Sequence, residues 1–233
     1  MITPDDIMGL SVMLRRSSVA YGGCMFSTPR LVLIALCAAL NVAVGSIVYL
    51  LKLPIYLDSI GIILCALLLA SDRWAGFVCA SVAGTISCVI IFLLVNPFFI
   101  WFEMTVLAIA LVSVLLTARF TALFRSRPLP HGTFAAIVLL CGVVTGVVSA
   151  IVSAPVVAYL FGGVTGSGSA FVVAFFLKTG EQLFKAVLLS GLAADPVDKV
   201  LQVLFAALLY RATPADFIAM LETPATTSAA GAA

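Results

Sequence analysis

The sequence has very little charge. Only 9% of its 233 residues are charged, while 64% are hydrophobic; a soluble domain usually has about a quarter of its residues charged. So few charged side chains cannot cover a surface that faces water. The composition therefore predicts an integral membrane protein and excludes a soluble enzyme.

Motifs for metal binding and hydrolysis are also missing. The chain has one histidine, His131, and six cysteines that lie singly, without a CxxC pair. The glycines of residues 162–168 are followed by serine and alanine and not by lysine, so no phosphate loop is present. We predict no catalytic residue, no metal and no cofactor. The net charge of +2 gives no reason to expect nucleic acid as a partner.

Long apolar segments predict an all-α fold, a polytopic transmembrane helix bundle. Because a helix needs roughly 20 apolar residues to cross the hydrocarbon core, the sequence predicts spans over residues 31–51, 55–70, 74–95, 98–124 and 134–161. A last helix is predicted from Asp195, as N-cap with Pro196 in the first turn, to Arg211. This gives six spans.

Residues 170–194 leave two topologies open, because they are apolar apart from a few polar side chains. They form either a seventh span or a re-entrant segment buried against the bundle. Arginine and lysine concentrate in the loops on the side of the N-terminus, which predicts a cytoplasmic N-terminus and favours six spans. We divide the chain into a cytoplasmic tail (1–29), a membrane domain (30–212) and a C-terminal tail (213–233) with a disordered end.

Small residues recur every four positions on three predicted helices, a pattern that lets helices approach closely in lipid. On the third and fifth helices we predict internal packing. These residues are Gly76, Ala80 and Gly84, and Gly142, Gly146, Ala150 and Ala154. On the first helix the stripe either packs internally or docks another membrane protein, and the sequence leaves both open. Its residues are Ala35, Ala39 and Ala43.

Ionisable side chains in apolar segments are costly and are therefore functional candidates. Asp58 and Glu103 are predicted at similar depth, facing one outer vestibule. Lys178, Glu181 and Lys185 are spaced i, i+3 and i+7, which places them on one face if the segment is a helix. They either pair with one another or contact a ligand.

The pair Asp195 and Lys199 is spaced i, i+4, and we interpret it as support for the start of the last helix.

Four segments, in this order, resemble the S components of energy-coupling factor (ECF) transporters, membrane subunits that bind vitamins and related micronutrients in prokaryotes. They are residues 35–39, 52–61, 161–168 and 195–199, and the resemblance covers about residues 31–212. It implies six helices, an extracellular ligand pocket, no catalysis by this chain, and location in the plasma membrane of a prokaryote. The insertion at 170–194 departs from the family pattern.

The resemblance also implies partners. The small-residue stripe of the first helix, here Ala35 and Ala39 extended by Ala43, would dock a transmembrane T component that sits on two ATP-binding cassette ATPases. The loaded subunit would then topple in the membrane and deliver its substrate to the cytoplasm.

Pocket residues are inferred from depth and chemistry, since aromatic rings stack on planar ligands and charged groups fix a polar edge. The mixed charges permit a zwitterionic or cationic heterocycle. The predicted substrate-binding residues are Tyr56, Asp58, Asn96, Trp101, Glu103, Lys178, Glu181 and Gln182.

Other classes of protein stay open. A stand-alone ion-coupled secondary transporter fits the buried acids, although the sequence shows no inverted repeat with broken helices. A membrane ligand sensor is disfavoured by the short tail after Arg211. A structural role would require the acidic side chains to pair internally with no cavity between them.

Overall fold

The computed structural model describes residues 25–53, 55–94, 99–126, 130–164 and 168–222. Within these ranges the chain is helical and has no strand, in agreement with the predicted all-α fold. A 3₁₀ turn (Phe99–Phe102) leads into α4, and a π-helical turn (Val156–Leu160) extends α5. The helices are α1 (Thr28–Leu50), α2 (Ile60–Leu68), α3 (Arg73–Leu94), α4 (Glu103–Ser126), α5 (His131–Pro155), α6 (Ser169–Lys178), α7 (Leu183–Ala212) and α8 (Ala215–Glu222).

Within the described ranges, four helices are long and apolar enough to cross a membrane. They are α1, α3, α4 with its preceding turn, and α5 with its π-helical extension. The architecture is that of a multi-pass helical membrane protein. The count of six spans and the cytoplasmic N-terminus stay predictions.

The second predicted span is only partly helical. Residues 55–59 are not helical, and α2 has nine residues, about 14 Å at 1.5 Å per residue. Arg30 in the first turn of α1 pairs with Asp72 just before α3, at 3.5 Å. Residues 51–72 therefore lead the chain from the far end of α1 back to the end at which α1 begins. The predicted helix over residues 55–70 is wrong for residues 55–59.

Gly61 lets α2 lie directly against α1. A Cβ atom at this position would overlap the backbone carbonyl of Cys37. The buried side chain of Asn41, one turn further along α1, accepts a hydrogen bond from the Gly61 N–H at 2.6 Å. A polar side chain of α1 thus satisfies a backbone group at the start of α2, where the helix itself supplies no partner.

The last long helix, α7, is continuous over 30 residues with Pro196 inside it. The predicted helix start at Asp195 is therefore wrong. Asp195 lies inside α7, whose N-cap is Gln182. It is buried in the bundle, with 8% of the residue exposed. The residue types that signal a helix start here serve tertiary contacts instead.

Small residues form the seam between α5 and α7, which run antiparallel. A Cβ atom on Gly142 would overlap Val200, and one on Gly146 would meet the backbone of Pro196. The four predicted stripe residues of α5 are all buried, as are the three of α3. The predicted internal packing of these two stripes is confirmed.

Residues 170–194 form neither a separate span nor one helix. The ten residues of α6 cover about 15 Å and are followed by a turn in which Gly180 has φ of 90°, a conformation that favours glycine. The chain then enters α7. The result is a helical hairpin in which Ser169 and Val173 of α6 lie near the first half of α7.

Residues 215–222, assigned by sequence to the C-terminal tail, form α8. Its Ile218 and Leu221 are buried in the main hydrophobic core. Arg30 donates from Nε to the carbonyl oxygen of Leu221 at 3.2 Å. This helix therefore closes the end of the bundle at which α1 begins.

The seam between α5 and α7 yields a prediction. We expect Gly146→Ala to lower the free energy of unfolding by about 1–3 kcal/mol, because the added methyl group meets helix backbone that cannot move alone. The control is Gly132→Ala, whose methyl group meets nothing within 4 Å. Unfolding titration of both variants in mixed detergent measures the effect, and equal stability of the two would contradict this packing.

Candidate functional site

A buried ionic cluster lies where α7 meets residues 55–59. The Asp198 carboxylate, 1% exposed, accepts hydrogen bonds from the backbone N–H groups of Tyr56 at 3.2 Å and Leu57 at 2.9 Å. It also accepts from Lys199 Nζ at 2.7 Å and Gln202 Nε2 at 2.9 Å. Asp198 thus accepts hydrogen bonds from backbone N–H groups that no helix pairs. Inside an apolar bundle, such groups would lower the stability of the fold if they were left unpaired.

Lys199 lies between two carboxylates. Its ammonium group, 3% exposed, is 2.7 Å from Asp198 and 3.8 Å from Oδ1 of Asp58. Asp58 also accepts a hydrogen bond from the Ser59 hydroxyl at 2.9 Å. Lys199 therefore forms one ion pair within α7, with Asp198, and one with Asp58 in the segment that precedes α2.

Asp195 is the third acidic side chain of this region, one turn before Asp198. The Ser149 hydroxyl on α5 is a hydrogen-bond partner of its carboxylate. The predicted pairing of Lys199 with Asp195 is replaced by the shorter contacts to Asp198 and Asp58. Three carboxylates and one ammonium group thus lie close together.

A cavity of about 90 Å³ adjoins this cluster. This is several times the space that one water needs, so the cavity has room for several waters or for a small organic ligand. The walls come from residues 56–59 and from α3, α4, α5, α6 and α7. The polar lining residues are Tyr56, Asp58, Ser59, Thr105, Ser149, Ser153, Ser169, Ser190, Asp195 and Lys199.

Aromatic rings and the helical hairpin complete the walls of the cavity. Phe102 and Phe161 stack with ring centroids 5.6 Å apart, and both line the cavity. The Tyr56 hydroxyl hydrogen-bonds to Ser169 at the start of α6 at 2.8 Å. The Gly168 N–H donates to the carbonyl of Leu53 at 3.2 Å. The hairpin is thereby tied to the segment that carries Asp58.

Two of the predicted substrate-binding residues, Tyr56 and Asp58, line this cavity. Asn96 lies outside the described residues. Glu103 is partly buried and accepts a hydrogen bond from Thr85, but it is not among the lining residues. The shared vestibule predicted for Asp58 and Glu103 is not the cavity that the structure forms.

The other predicted binding residues lie outside the cavity. Trp101 is 55% exposed, and Lys178 and Gln182 are exposed. Glu181 pairs with Lys185 at 2.7 Å on the surface. Lys178 ends α6 while Glu181 lies in the following turn, so the predicted common helical face of these charged residues is wrong.

Sequence reasoning missed the polar face of α7, although a signal was present. Asp195, Asp198, Lys199 and Gln202 follow the spacing i, i+3, i+4 and i+7, which places them on one face of a helix. Interpreting the first of them as a cap hid this periodicity.

The small-residue stripe on α1 faces outward. Ala35, Ala39 and Ala43 are exposed on the bundle surface, while neighbouring Cys37 and Ala38 are buried. Of the two alternatives that the sequence leaves open for this stripe, internal packing within the described chain is excluded.

Comparison with protein-family models, curated proteins and solved structures finds no match to this chain. Over the described ranges, no group of three or more histidine, cysteine, aspartate or glutamate side chains is placed to hold a metal ion. Fold and site define a multi-pass helical membrane protein with a polar cavity and a buried ionic cluster.

The cluster yields a prediction about stability. We expect Lys199→Met to lower the free energy of unfolding by about 3–5 kcal/mol, because it leaves buried carboxylates without their cation. The matched control is Lys185→Met, which breaks an exposed pair with Glu181 worth at most about 1 kcal/mol. Unfolding in mixed detergent compares the two, and similar losses would show that Lys199 does not hold the cluster together.

Proposed function

We propose that this chain is the substrate-binding S component of an ECF-type importer. It captures a vitamin or related micronutrient on the extracellular side, docks to a T component with two ATPases, and delivers the substrate by toppling. The observation that carries the proposal is the cavity with its charged and hydroxyl side chains. Cavities with a few convergent polar groups are the usual form of small-molecule sites.

The position of the cavity supports capture from outside. Asp58 packs against Gly45 in the second half of α1, and the cavity walls include the start of α4 and the last turns of α5. It therefore lies toward the end of the bundle opposite the start of α1. With the N-terminus in the cytoplasm, as the charge distribution predicts, this end faces the exterior.

The outward stripe on α1 supports docking of a T component. Alanines at positions 35, 39 and 43 let a second helix approach closely without disturbing the core. The helices that need small residues for internal contacts, α3 and α5, have their own stripes. The α1 stripe is exposed and does not pack against another helix within the described chain.

A second candidate function is that of an ion-coupled carrier working alone. The observation that favours it is the set of acidic side chains beside the cavity, because buried acids in membrane bundles often carry protons or ions. Proteoliposomes decide between the two. A carrier accumulates substrate under an ion gradient without partners, whereas an S component requires its T component and ATP hydrolysis.

We expect the chain to co-purify in detergent with co-expressed T component and ATPases, and Ala35→Trp with Ala39→Trp to abolish this association. The two indole rings block close helix approach, yet both positions are exposed, so the fold is kept. The bound ATPase is measured by quantitative gel analysis of the purified complex.

The matched control places the same two rings at exposed positions on α5, as Leu139→Trp with Val143→Trp. This variant should retain its partners. If both variants lose the ATPases, the tryptophan rings disturb the protein in general and the α1 stripe is not tested selectively by them. If both variants keep the ATPases, the α1 stripe is not part of the docking surface.

A further inference from the structure

Glu103 is an acidic side chain of the helix bundle that does not line the cavity. It begins α4, and one oxygen of its carboxyl group is hydrogen-bonded to the Thr85 hydroxyl on α3. The other oxygen, Oε2, is buried and has no hydrogen-bond partner among the described residues. Buried charges in proteins are normally paired or well hydrogen-bonded. A single hydroxyl partner is therefore little support for an ionised carboxylate.

The Thr85 hydroxyl has one proton and two acceptors. Its oxygen also lies 2.9 Å from the carbonyl oxygen of Ser81, one turn earlier on α3, and a hydroxyl group donates one hydrogen bond. The positions of the oxygen atoms do not show which side of the contact with Glu103 carries the proton. Ionised Glu103 accepts this bond and competes with Ser81 for one proton. Protonated Glu103 donates it, and Thr85 then donates to Ser81, so each donor has its own acceptor.

No lysine or arginine forms an ion pair with Glu103 in the part of the chain that the structure describes. Arg73, the only charged residue of α3, lies about 18 Å from Thr85 along the helix axis. Arg119 lies about 24 Å from Glu103 along α4. The ammonium group of Lys199 pairs with aspartates. A negative charge on Glu103 would therefore have no nearby counter-ion on either of the two helices that form the contact.

The surroundings of the contact also oppose a negative charge. The titratable side chain of α3 that faces it is the Cys88 thiol, which interacts electrostatically with both Glu103 and Asp58. Thr85 lies near the middle of α3 (Arg73–Leu94), one of the helices long and apolar enough to cross a membrane. An uncompensated charge at this depth is costly. Hydrogen bonds, counter-ions and depth thus all favour the neutral acid.

We propose that Glu103 is a proton-binding site. At neutral pH it is a neutral carboxylic acid that donates to Thr85 and joins α4 to α3 within the membrane. When the proton is released to water, an anion without a counter-ion remains, and the contact between the two helices opens at this level. Phe102 and Val106, on either side of Glu103 in the chain, line the cavity. The proton therefore sets the position of this cavity wall, whether or not the chain is an S component.

The direct test is carboxyl ¹³C NMR of the full-length protein in lipid nanodiscs, with the glutamate side chains labelled. The chain has three glutamates, Glu103, Glu181 and Glu222, and Glu103→Gln identifies the signal of the first. We expect Glu103 to be mostly protonated at neutral pH, a change of at least about 500-fold in the ratio of acid to carboxylate relative to a glutamate in water. Three carboxylate signals from the wild type at neutral pH would overturn the proposal, and this result needs no variant.

The stability of the protein should depend on pH through the same group. If the folded protein holds this proton more tightly than the unfolded chain, the stability that it contributes is present at low pH and is lost as the pH rises. Glu103→Gln keeps a donor and an acceptor but has no proton to lose. We expect the unfolding equilibrium constant of the wild type, relative to that of Glu103→Gln, to rise at least about tenfold between about pH 6 and about pH 9 in mixed detergent.

The matched control is Glu181→Gln, which breaks the exposed pair with Lys185 and should follow the wild type at both pH values. If the ratio between the wild type and Glu103→Gln does not change with pH, Glu103 does not bind the proton and the proposal is overturned.

Trp101 reports whether the cavity wall moves with this proton. It lies in the 3₁₀ turn two residues before Glu103, and Trp74 is the other tryptophan of the chain, so Trp74→Phe leaves a single emitter. We expect the emission maximum of Trp101 to shift between about pH 6 and about pH 9 when Glu103 is present, and to stay constant when Glu103→Gln is added. The same emission change in both proteins would overturn the link between the proton and the wall.

Discussion

The Asp198 carboxylate is the group on which the arrangement around the cavity depends. Within a hydrocarbon environment, backbone N–H groups outside helices need a partner from the protein itself, and the N–H groups of Tyr56 and Leu57 find theirs in Asp198. Because Lys199 and Gln202 also bind this carboxylate, the charge is balanced locally. The contact fixes residues 55–59 in a non-helical conformation, which brings Asp58 to the cavity and sets where α2 begins.

Close packing of backbones is the second constraint. Gly61, Gly142 and Gly146 each lie where a side chain would overlap a neighbouring helix, so short inter-helix distances are built in at α1–α2 and α5–α7. The alanines of α1 have the same four-residue period but face outward. Periodicity alone does not separate these cases, since it fixes which residues share a face and not which way that face points.

Sequence predicted the helical membrane class, most long helices and the packing stripes, because composition and period carry that information. It did not predict the continuity of α7. Asp195 and Pro196 have the residue types of a helix start, and only tertiary contacts with α5, such as that between Pro196 and Gly146, give this stretch its other use. Among site residues, Tyr56 and Asp58 were found from their position beside a turn in apolar sequence. Trp101 and Gln182 were chosen by predicted depth, which does not give side-chain direction.

The hydrogen bonds between residues 56–57 and Asp198 join positions separated by 141 and 142 residues. During synthesis the segment before α2 therefore reaches the membrane well before its acceptor has been translated. Helices such as α1 and α3 complete their own backbone hydrogen bonds and can insert as they emerge. Residues 55–59 cannot, so their final placement must wait until α7 has entered the bundle. The cavity therefore forms only after α7 has entered the bundle, and a chain truncated before α7 would insert its early helices without forming a site.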